Sequence, residues 1–292
     1  MGGHRPTPEF PRHLEELYRR FPFERSYVDD PISVVRPLAY DRRSAEVAGI
    51  FASTLAIGNT TAIRGAIGRL AAAVEGDMAR LVAPGWAAER RRRLRGFRHR
   101  WIRGDQLDRL ADCLTAYYAR AASLESAFCD GFDGGGFAEG LDRLVRVLRG
   151  DGRPGPVPRG YAALFPSPLD AGRSPAKRLT LFVRWMVRPS YPDLGLWRQV
   201  PTGELRVPLD QHVHWIAYHL GLTARRTRSW RAVEEVSEAL RRIDPLDPVR
   251  YDFVLCHTGI SGDCPKVRDL TVCGPCSVRP DCRLWRGRAI AS

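Results

Sequence analysis

Four cysteines near the C-terminus have the type and spacing of a metal or cluster site. Cys264, Cys273, Cys276 and Cys282 form a C-x8-C-x2-C-x5-C pattern directly after a predicted helix. Four thiolates in so short a segment can close around one tetrahedral ion or one cubane cluster. Structural zinc ribbons usually bring two short C-x2-C knuckles and this segment has one, so the spacing favours [4Fe–4S] over zinc. We interpret Cys256, eight residues earlier, as a core residue.

A carboxylate and an amine are the candidates for catalysis. Asp210 follows an extended Val-Pro-Leu segment and precedes a predicted helix, where it either caps that helix only or also serves as a functional carboxylate. Lys177 lies in the first turn of another predicted helix, where the helix dipole disfavours an ammonium and favours use as a nucleophile. Lys177 and Lys266 are the only lysines among 46 Lys and Arg residues. That rarity makes a functional lysine about as plausible as a solvent-facing one.

The charge balance predicts a polyanionic partner. The chain has 46 Lys+Arg against 33 Asp+Glu, a net charge of +13 and a pI near 10. Nucleic acid is the first candidate for such a partner, and a basic but unspecialised surface is the alternative. Three basic stretches with interleaved aromatic residues, at 89–103, 223–231 and 282–288, could each bind phosphates or form solvated faces.

The elements that must position these residues are predicted to be helices, which gives an all-α fold. Asp41 is expected to cap the first of them, Asn59 the second and Asp247 the last. Residues 150–160 are rich in Pro and Gly and are predicted to be a loop between two helical blocks. Helical periodicity covers residues 41–58, 60–74, 104–121, 137–150, 174–187, 212–222, 230–243 and 247–260.

Several classes of protein and site are disfavoured by the sequence. The chain has no run of 18 uncharged apolar residues and no apolar segment at its N-terminus, so we expect no membrane span and no secretory signal. We expect a cytoplasmic, nucleoid-associated monomer without a membrane partner.

The remaining cysteines and histidines are not expected to bind a metal. Cys113 and Cys129 are expected to be small buried hydrophobic residues. His212 and His214 are two residues apart and cannot share a helix face, which argues against a histidine metal site.

Four segments together resemble the endonuclease III (HhH-GPD) superfamily of DNA glycosylases. Over about residues 25–288 the chain also resembles a bacterial iron–sulfur branch of this superfamily, through KRLTLFVRWMVR, DLGLW, VPLDQHVH and DPVRYDFVLCHTGI. The tail FVLCHTGISGDC…CGPCSVRPDC resembles the family's last helix and cluster loop, and VPLDQH resembles its segment with the catalytic aspartate. SPAKRL resembles the helix start that carries the lyase lysine of bifunctional members. EVAGIFASTLAIGNTTAIRGAI resembles the early helix–loop–helix whose loop enters the DNA minor groove.

The resemblance implies two helical domains of endonuclease III type with a C-terminal iron–sulfur cluster loop. Residues 1–40 and 208–292 would form the cluster-bearing domain, and residues 41–207 a helical-barrel domain with a hairpin-like region at LDAGRSPAK, where Gly172 is the one glycine. It implies that Asp210 is the catalytic carboxylate and Lys177 the lyase amine. Ile57, Gly58 and Asn59 would contact DNA near the lesion, and the four loop cysteines would hold a [4Fe–4S] cluster.

The resemblance also implies a function in base-excision repair. The protein would bind double-stranded DNA that contains a damaged base, flip that nucleotide and cut its N-glycosidic bond. AP-lyase activity would follow if Lys177 forms a Schiff base with the sugar. One alternative is a non-catalytic DNA-structure or lesion-binding protein with the glycosylase fold. A zinc-stabilised regulator is a further alternative.

Overall fold

The computed structural model describes residues 5–150, 155–170 and 174–286, and this part of the chain is predominantly helical, as predicted. The one sheet among these residues has two strands, β1 (Arg98–His99) and β2 (Ile102–Arg103), which pair antiparallel. None of the described helices combines the length and apolarity needed to cross a membrane.

The first α-helices in chain order are α1 (Phe10–Arg20), α2 (Phe23–Asp29), α3 (Ile32–Val35), α4 (Arg42–Leu55), α5 (Thr60–Ala73), α6 (Ala87–Arg93), α7 (Gly104–Tyr118) and α8 (Leu124–Gly135). The remaining ones are α9 (Phe137–Arg149), α10 (Arg159–Ala162), α11 (Lys177–Val187), α12 (Gln211–His219), α13 (Trp230–Arg241), α14 (Asp252–Ser261) and α15 (Leu270–Cys273). Short 3-10 turns lie at Arg36–Leu38, Met78–Val82, Pro84–Trp86, Thr202–Glu204 and Arg279–Asp281.

The chain divides into two compact units. The C-terminal unit consists of Met1–Ser26, Gly172–Lys177 and Thr202–Ser292, and the central unit consists of Tyr27–Ala171 and Arg178–Pro201. The domain boundaries expected from the resemblance, at residues 40/41 and 207/208, stay a prediction.

Helix α4 forms the core of the central unit, because every residue from Ala45 to Leu55 is buried. Its one buried acid, Glu46, accepts hydrogen bonds from Tyr118, Leu124 and Trp197 of the same unit. Burial raises the pKa of Glu46, although these donors act in the opposite direction. A buried carboxylate with several donors fixes how the surrounding elements are aligned with α4. If one of these elements slid along α4, its donor would be left buried without a hydrogen-bond partner.

The N-terminal residues of the C-terminal unit are tied to its cysteine loop. The Asp281 carboxylate is fully buried and accepts from the backbone N–H and hydroxyl of Thr7, both at 2.7 Å. Its second oxygen lies 2.8 Å from His13 Nδ1. Burial would raise the pKa of Asp281, but the hydrogen bonds from Thr7 and His13 outweigh it and hold that pKa below its usual value. The carboxylate thereby joins two segments that are distant in the sequence.

Two predicted features of the elements are wrong. Asp247 does not cap the helix that was expected to be the last, since this helix, α14, begins at Asp252, one turn later than expected. The N–H of Asp247 is held by the side chain of Asp244, and Asp247 itself accepts from Arg250 within a non-helical turn. The segment 150–160 is not loop throughout, since α10 begins at Arg159 within it. Gly172 of the expected hairpin-like region lies outside the described residues.

Candidate functional site

Asp210 is the N-cap of α12 and keeps one carboxylate oxygen for other contacts. Its Oδ1 accepts from the backbone N–H groups of His212 and Val213, both at 2.8 Å. The residue is 9% exposed, so the carboxylate is largely shielded from water. The capping role predicted from the sequence is therefore real, but it uses only Oδ1. Oδ2 points to side chains from other elements.

Lys177 is brought to this second oxygen. It is the first residue of α11, and its Nζ lies 3.7 Å from Asp210 Oδ2, although the two residues are 33 positions apart in the sequence. The Lys177 side chain is 29% exposed, which leaves part of it accessible. The two candidate catalytic residues thus form one ion pair within the C-terminal unit. Such a pair can exchange a proton and can act on a bond placed beside it.

A third side chain at this oxygen was not expected from the sequence. Cys256 of α14 donates from Sγ to Asp210 Oδ2 at 3.4 Å. The residue is half-buried, while its neighbours Leu255 and His257 are buried, so its interpretation as a core residue is wrong. Helical periodicity shows which face of a helix a residue lies on, but not which side chain of another element that face contacts. It therefore could not distinguish a thiol packed in the core from one beside a carboxylate.

The four cysteines predicted as ligands share one cavity. Cys264, Cys273, Cys276 and Cys282 all line a cavity of about 50 Å³ in the C-terminal unit, several times the volume that one water requires. Other lining side chains include Leu255, Val278 and Trp285, as well as Trp215 and His219 of α12, whose rings stack at 3.9 Å.

The cysteine cavity fits a group that prefers thiolate ligands. Burial raises the pKa of Cys264, Cys276 and Cys282, the last to about 11. Thiols in such surroundings stay protonated unless a bound cationic group stabilises the thiolates. None of the seven cysteines forms a disulfide, so no disulfide competes for the four. In the described ranges, no three His, Cys, Asp or Glu side chains are arranged to hold a single metal ion.

The loop predicted to contact DNA lies in the central unit, between α4 and α5. Gly58 and Asn59 are exposed, and Asn59 caps α5 by accepting from the N–H of Ala62 at 2.8 Å. Gly58 has a left-handed φ of +107°, and a Cβ placed on it would lie 2.9 Å from Nη2 of Arg100. The backbone conformation therefore favours glycine here, whereas the atoms nearest to such a Cβ belong to the flexible end of the Arg100 side chain. The carbonyl of Ile57 is 3.0 Å from His99 Nε2.

The β1–β2 turn beside this loop presents an arginine and a tryptophan at its tip. Arg100 has a φ of 55°, where a residue with a side chain is uncommon, and Trp101 is 44% exposed. The Arg178 guanidinium lies 5.6 Å from the Trp101 ring centroid and donates to the carbonyl of Leu164. The sequence drew attention to the whole stretch 89–103 but did not single out these two residues.

Family comparison identifies the group of proteins to which the chain belongs. The family model described as "Protein of unknown function (DUF2400)" matches residues 30–261, which is most of the chain. The chain belongs to the DUF2400 family. The DUF2400 match includes Lys177, Asp210 and Cys256, and it ends three residues before Cys264. No curated protein and no solved structure matches the chain.

Proposed function

We propose that this DUF2400 protein is a DNA repair glycosylase of the endonuclease III superfamily, which flips a damaged base out of double-stranded DNA and excises it. The observation that carries the proposal is the Lys177–Asp210 pair, with 3.7 Å between Nζ and Oδ2. Nucleophilic attack on a sugar carbon requires two groups, an amine that attacks and a carboxylate beside it, and the pair supplies both. The net charge of +13 supports a DNA partner.

Each residue of the pair has a defined role in this proposal. Asp210 Oδ2 accepts a proton from the Lys177 ammonium, and the neutral amine attacks C1′ of the flipped nucleotide. The C1′–N bond to the base breaks as the Nζ–C1′ bond forms, and the base leaves with the electron pair of that bond and takes up the proton that Asp210 holds. The carboxylate is thereby regenerated, and its negative charge stabilises the positive charge on the sugar. Nζ then gives a proton to the ring oxygen O4′ as the C1′–O4′ bond breaks, which leaves a protonated Schiff base between C1′ and Nζ. Loss of a C2′ proton from this Schiff base eliminates the 3′-phosphate, which is the AP-lyase step. In a monofunctional enzyme, a water molecule would attack in place of the amine.

Cys264, Cys273, Cys276 and Cys282 are the residues that would hold a [4Fe–4S] cluster. A single zinc ion draws its ligand sulfurs to about 2.3 Å from one point, whereas a cubane cluster keeps them further apart. The four thiols share one cavity, and the single C-x2-C of the segment, where zinc ribbons usually have two, favours the cluster over zinc. The cluster would cross-link the cysteine loop. The arginines of this loop would then be held in place for phosphate contacts.

A panel of oxidised, alkylated, deaminated and crosslinked duplexes, treated with and without alkali, tests the proposal. Asp210→Asn should keep the fold, since Asn also caps helices. It should lower base release by about 10²–10³-fold or more, because the carboxylate acts in the transition state. Asp41→Asn is the matched control, as Asp41 also caps a helix through its side chain. Undiminished base release by Asp210→Asn would overturn the catalytic assignment.

Borohydride trapping separates the bifunctional enzyme from the monofunctional one. A covalent DNA adduct should form with the wild-type protein and disappear in Lys177→Gln, while Lys266→Gln, the change at the other lysine, should leave it intact. An adduct that survives Lys177→Gln would assign the nucleophile to another residue.

The second candidate function is a non-catalytic lesion-binding protein. The ion pair favours this candidate, because the charges of Lys177 and Asp210 neutralise each other without a substrate. Tight binding of abasic and damaged duplexes without release of any base would support this candidate and contradict the glycosylase.

A further inference from the structure

The carboxylate of Asp210 has its two oxygens in different environments. Oδ1 is occupied by two backbone N–H groups of α12. Oδ2 has two side-chain neighbours, Lys177 Nζ at 3.7 Å and Cys256 Sγ at 3.4 Å. These neighbours come from the start of α11 and the second turn of α14, so the environment of Oδ2 depends on how three helix segments of the C-terminal unit pack.

A glycine permits the close approach that brings the thiol to the carboxylate. A Cβ placed on Gly259 would lie 2.6 Å from the Cβ of His212, so any larger residue would push α14 away from α12. Cys256 is three residues before Gly259 and therefore lies on the same face of α14. The contact between Cys256 and Asp210 follows from this close packing.

We propose that Cys256 is a positioning residue for Asp210, a role that rests on the proposed glycosylase function. Without the thiol, the carboxylate could rotate its second oxygen fully towards the lysine ammonium. A thiol is a weak hydrogen-bond donor, so it orients Oδ2 and takes little of its negative charge. Cys256 thereby keeps the carboxylate available both to the amine and to the sugar.

The contact itself can be tested without DNA. Thiolate is the form that reacts with iodoacetamide, and a carboxylate beside a thiol disfavours the thiolate. Asp210→Asn should therefore speed alkylation of the Cys256 peptide, followed by mass spectrometry at one pH, by about three- to tenfold. Lys177→Gln should slow it. Glu238→Gln, which removes a carboxylate from α13, is the control and should leave the rate unchanged.

The catalytic consequence is tested with single-turnover base release and duplex affinity. Cys256→Ala should slow base release by about ten- to hundredfold at unchanged affinity, because misplacement of a reacting group affects the chemical step. Cys256→Ser should restore most of the rate, since a hydroxyl can also donate to Oδ2. A wild-type rate in Cys256→Ala, or equal losses in both variants, would overturn the proposal.

The two experiments separate the possible failures. If the wild-type protein releases no base from any duplex, the glycosylase proposal fails, and the alkylation rates still decide whether Cys256 contacts Asp210. If Cys256→Ala does not fold, Asp210→Asn with Cys256 intact gives the decision. Equal alkylation rates in Asp210→Asn and wild type would contradict the positioning role.

Discussion

Pairing with carboxylates distinguishes the arginines of the 89–103 stretch from one another. Arg90 is buried against Asp108 and Asp112, and Arg93 pairs with Glu89. These side chains are engaged in structure and have little capacity left for phosphate. Among the described residues, exposed Arg95, Arg98 and Arg100 have no carboxylate partner. These three side chains are therefore the first candidates of the stretch for phosphate contacts.

We predict that Arg100 and Trp101 contribute to DNA binding in different ways. Arg100→Gln should reduce the slope of log affinity against log salt by about 0.9, because one phosphate contact is lost. Trp101→Ala should weaken binding by about 1–3 kcal/mol through lost stacking on a base, and Trp101→Phe should retain most of the affinity. Fluorescence anisotropy with an abasic-analogue duplex measures both.

Arg19→Gln is the control for the salt slope, because Arg19 is exposed and pairs with Glu15 on α1. Unchanged affinity and slope in both tip variants would remove the β1–β2 turn from the DNA interface.

At the scale of elements, side-chain caps fix where helices begin. The cap residues Asp41, Asn59 and Asp210 start α4, α5 and α12 by accepting from backbone N–H groups two or three residues onward. Each cap satisfies donors that the first helical turn cannot pair internally. Asp210 also contacts Lys177 and Cys256 through its second oxygen, which connects helix capping to the proposed chemistry.

We predict that the Asp41 cap stabilises the protein in a pH-dependent way. Hydrogen bonds from Ser44 lower the pKa of Asp41 below its ordinary 3.8. Its contribution is therefore fully present above pH 3.8 and is lost as the pH falls through the lowered folded-state pKa. Asp41→Ala should reduce the free energy of unfolding by about 1 kcal/mol at pH 7.

Urea titrations between pH 3 and pH 7 measure this free energy. The difference between wild type and Asp41→Ala should shrink at the acid end. Asp41→Asn, which keeps a cap without an ionisable group, should show a smaller loss at pH 7. A difference independent of pH would contradict the role of the carboxylate charge.

At the scale of the whole molecule, the cysteine loop has two kinds of connection to the C-terminal unit. Asp281 binds Thr7 and His13, and the four cysteines surround a cavity that α12 and α14 also line. The first connection consists of hydrogen bonds within the protein. The second would depend on a bound group, because thiols form only weak hydrogen bonds and do not hold a loop together by themselves.

We predict that the purified protein is brown and holds about four iron atoms per chain. Cys273→Ser should bleach it and make the segment 264–282 more sensitive to proteolysis, since binding of the cluster is coupled to folding of the loop. Cys129→Ala, at a buried cysteine of α8, should retain the colour. Iron analysis and limited proteolysis are the measurements, and a colourless protein with stoichiometric zinc would contradict the cluster.

Local patterns in the chain were enough to predict the helical class, the caps Asp41, Asn59 and Asp210, and the four cysteines that share one cavity. These features depend on residues close together in the sequence. A cap acts over three positions, a helix face repeats every few residues, and the cysteine motif spans a single loop. The start of α14 was an exception, because a turn stabilised by Asp244 replaced the expected first turn.

Tertiary packing decided the composition of the candidate site. Lys177, Asp210 and Cys256 come from three separate segments, and no local pattern fixes the distances between them. The close approach of α14 to α12 at Gly259 brings the thiol to the carboxylate. Likewise, partners from α7 and the Met78–Val82 turn occupy Arg90, while Arg100 stays exposed at a turn. Such contacts depend on long-range packing, in which side chains of the same type acquire different neighbours and therefore different roles.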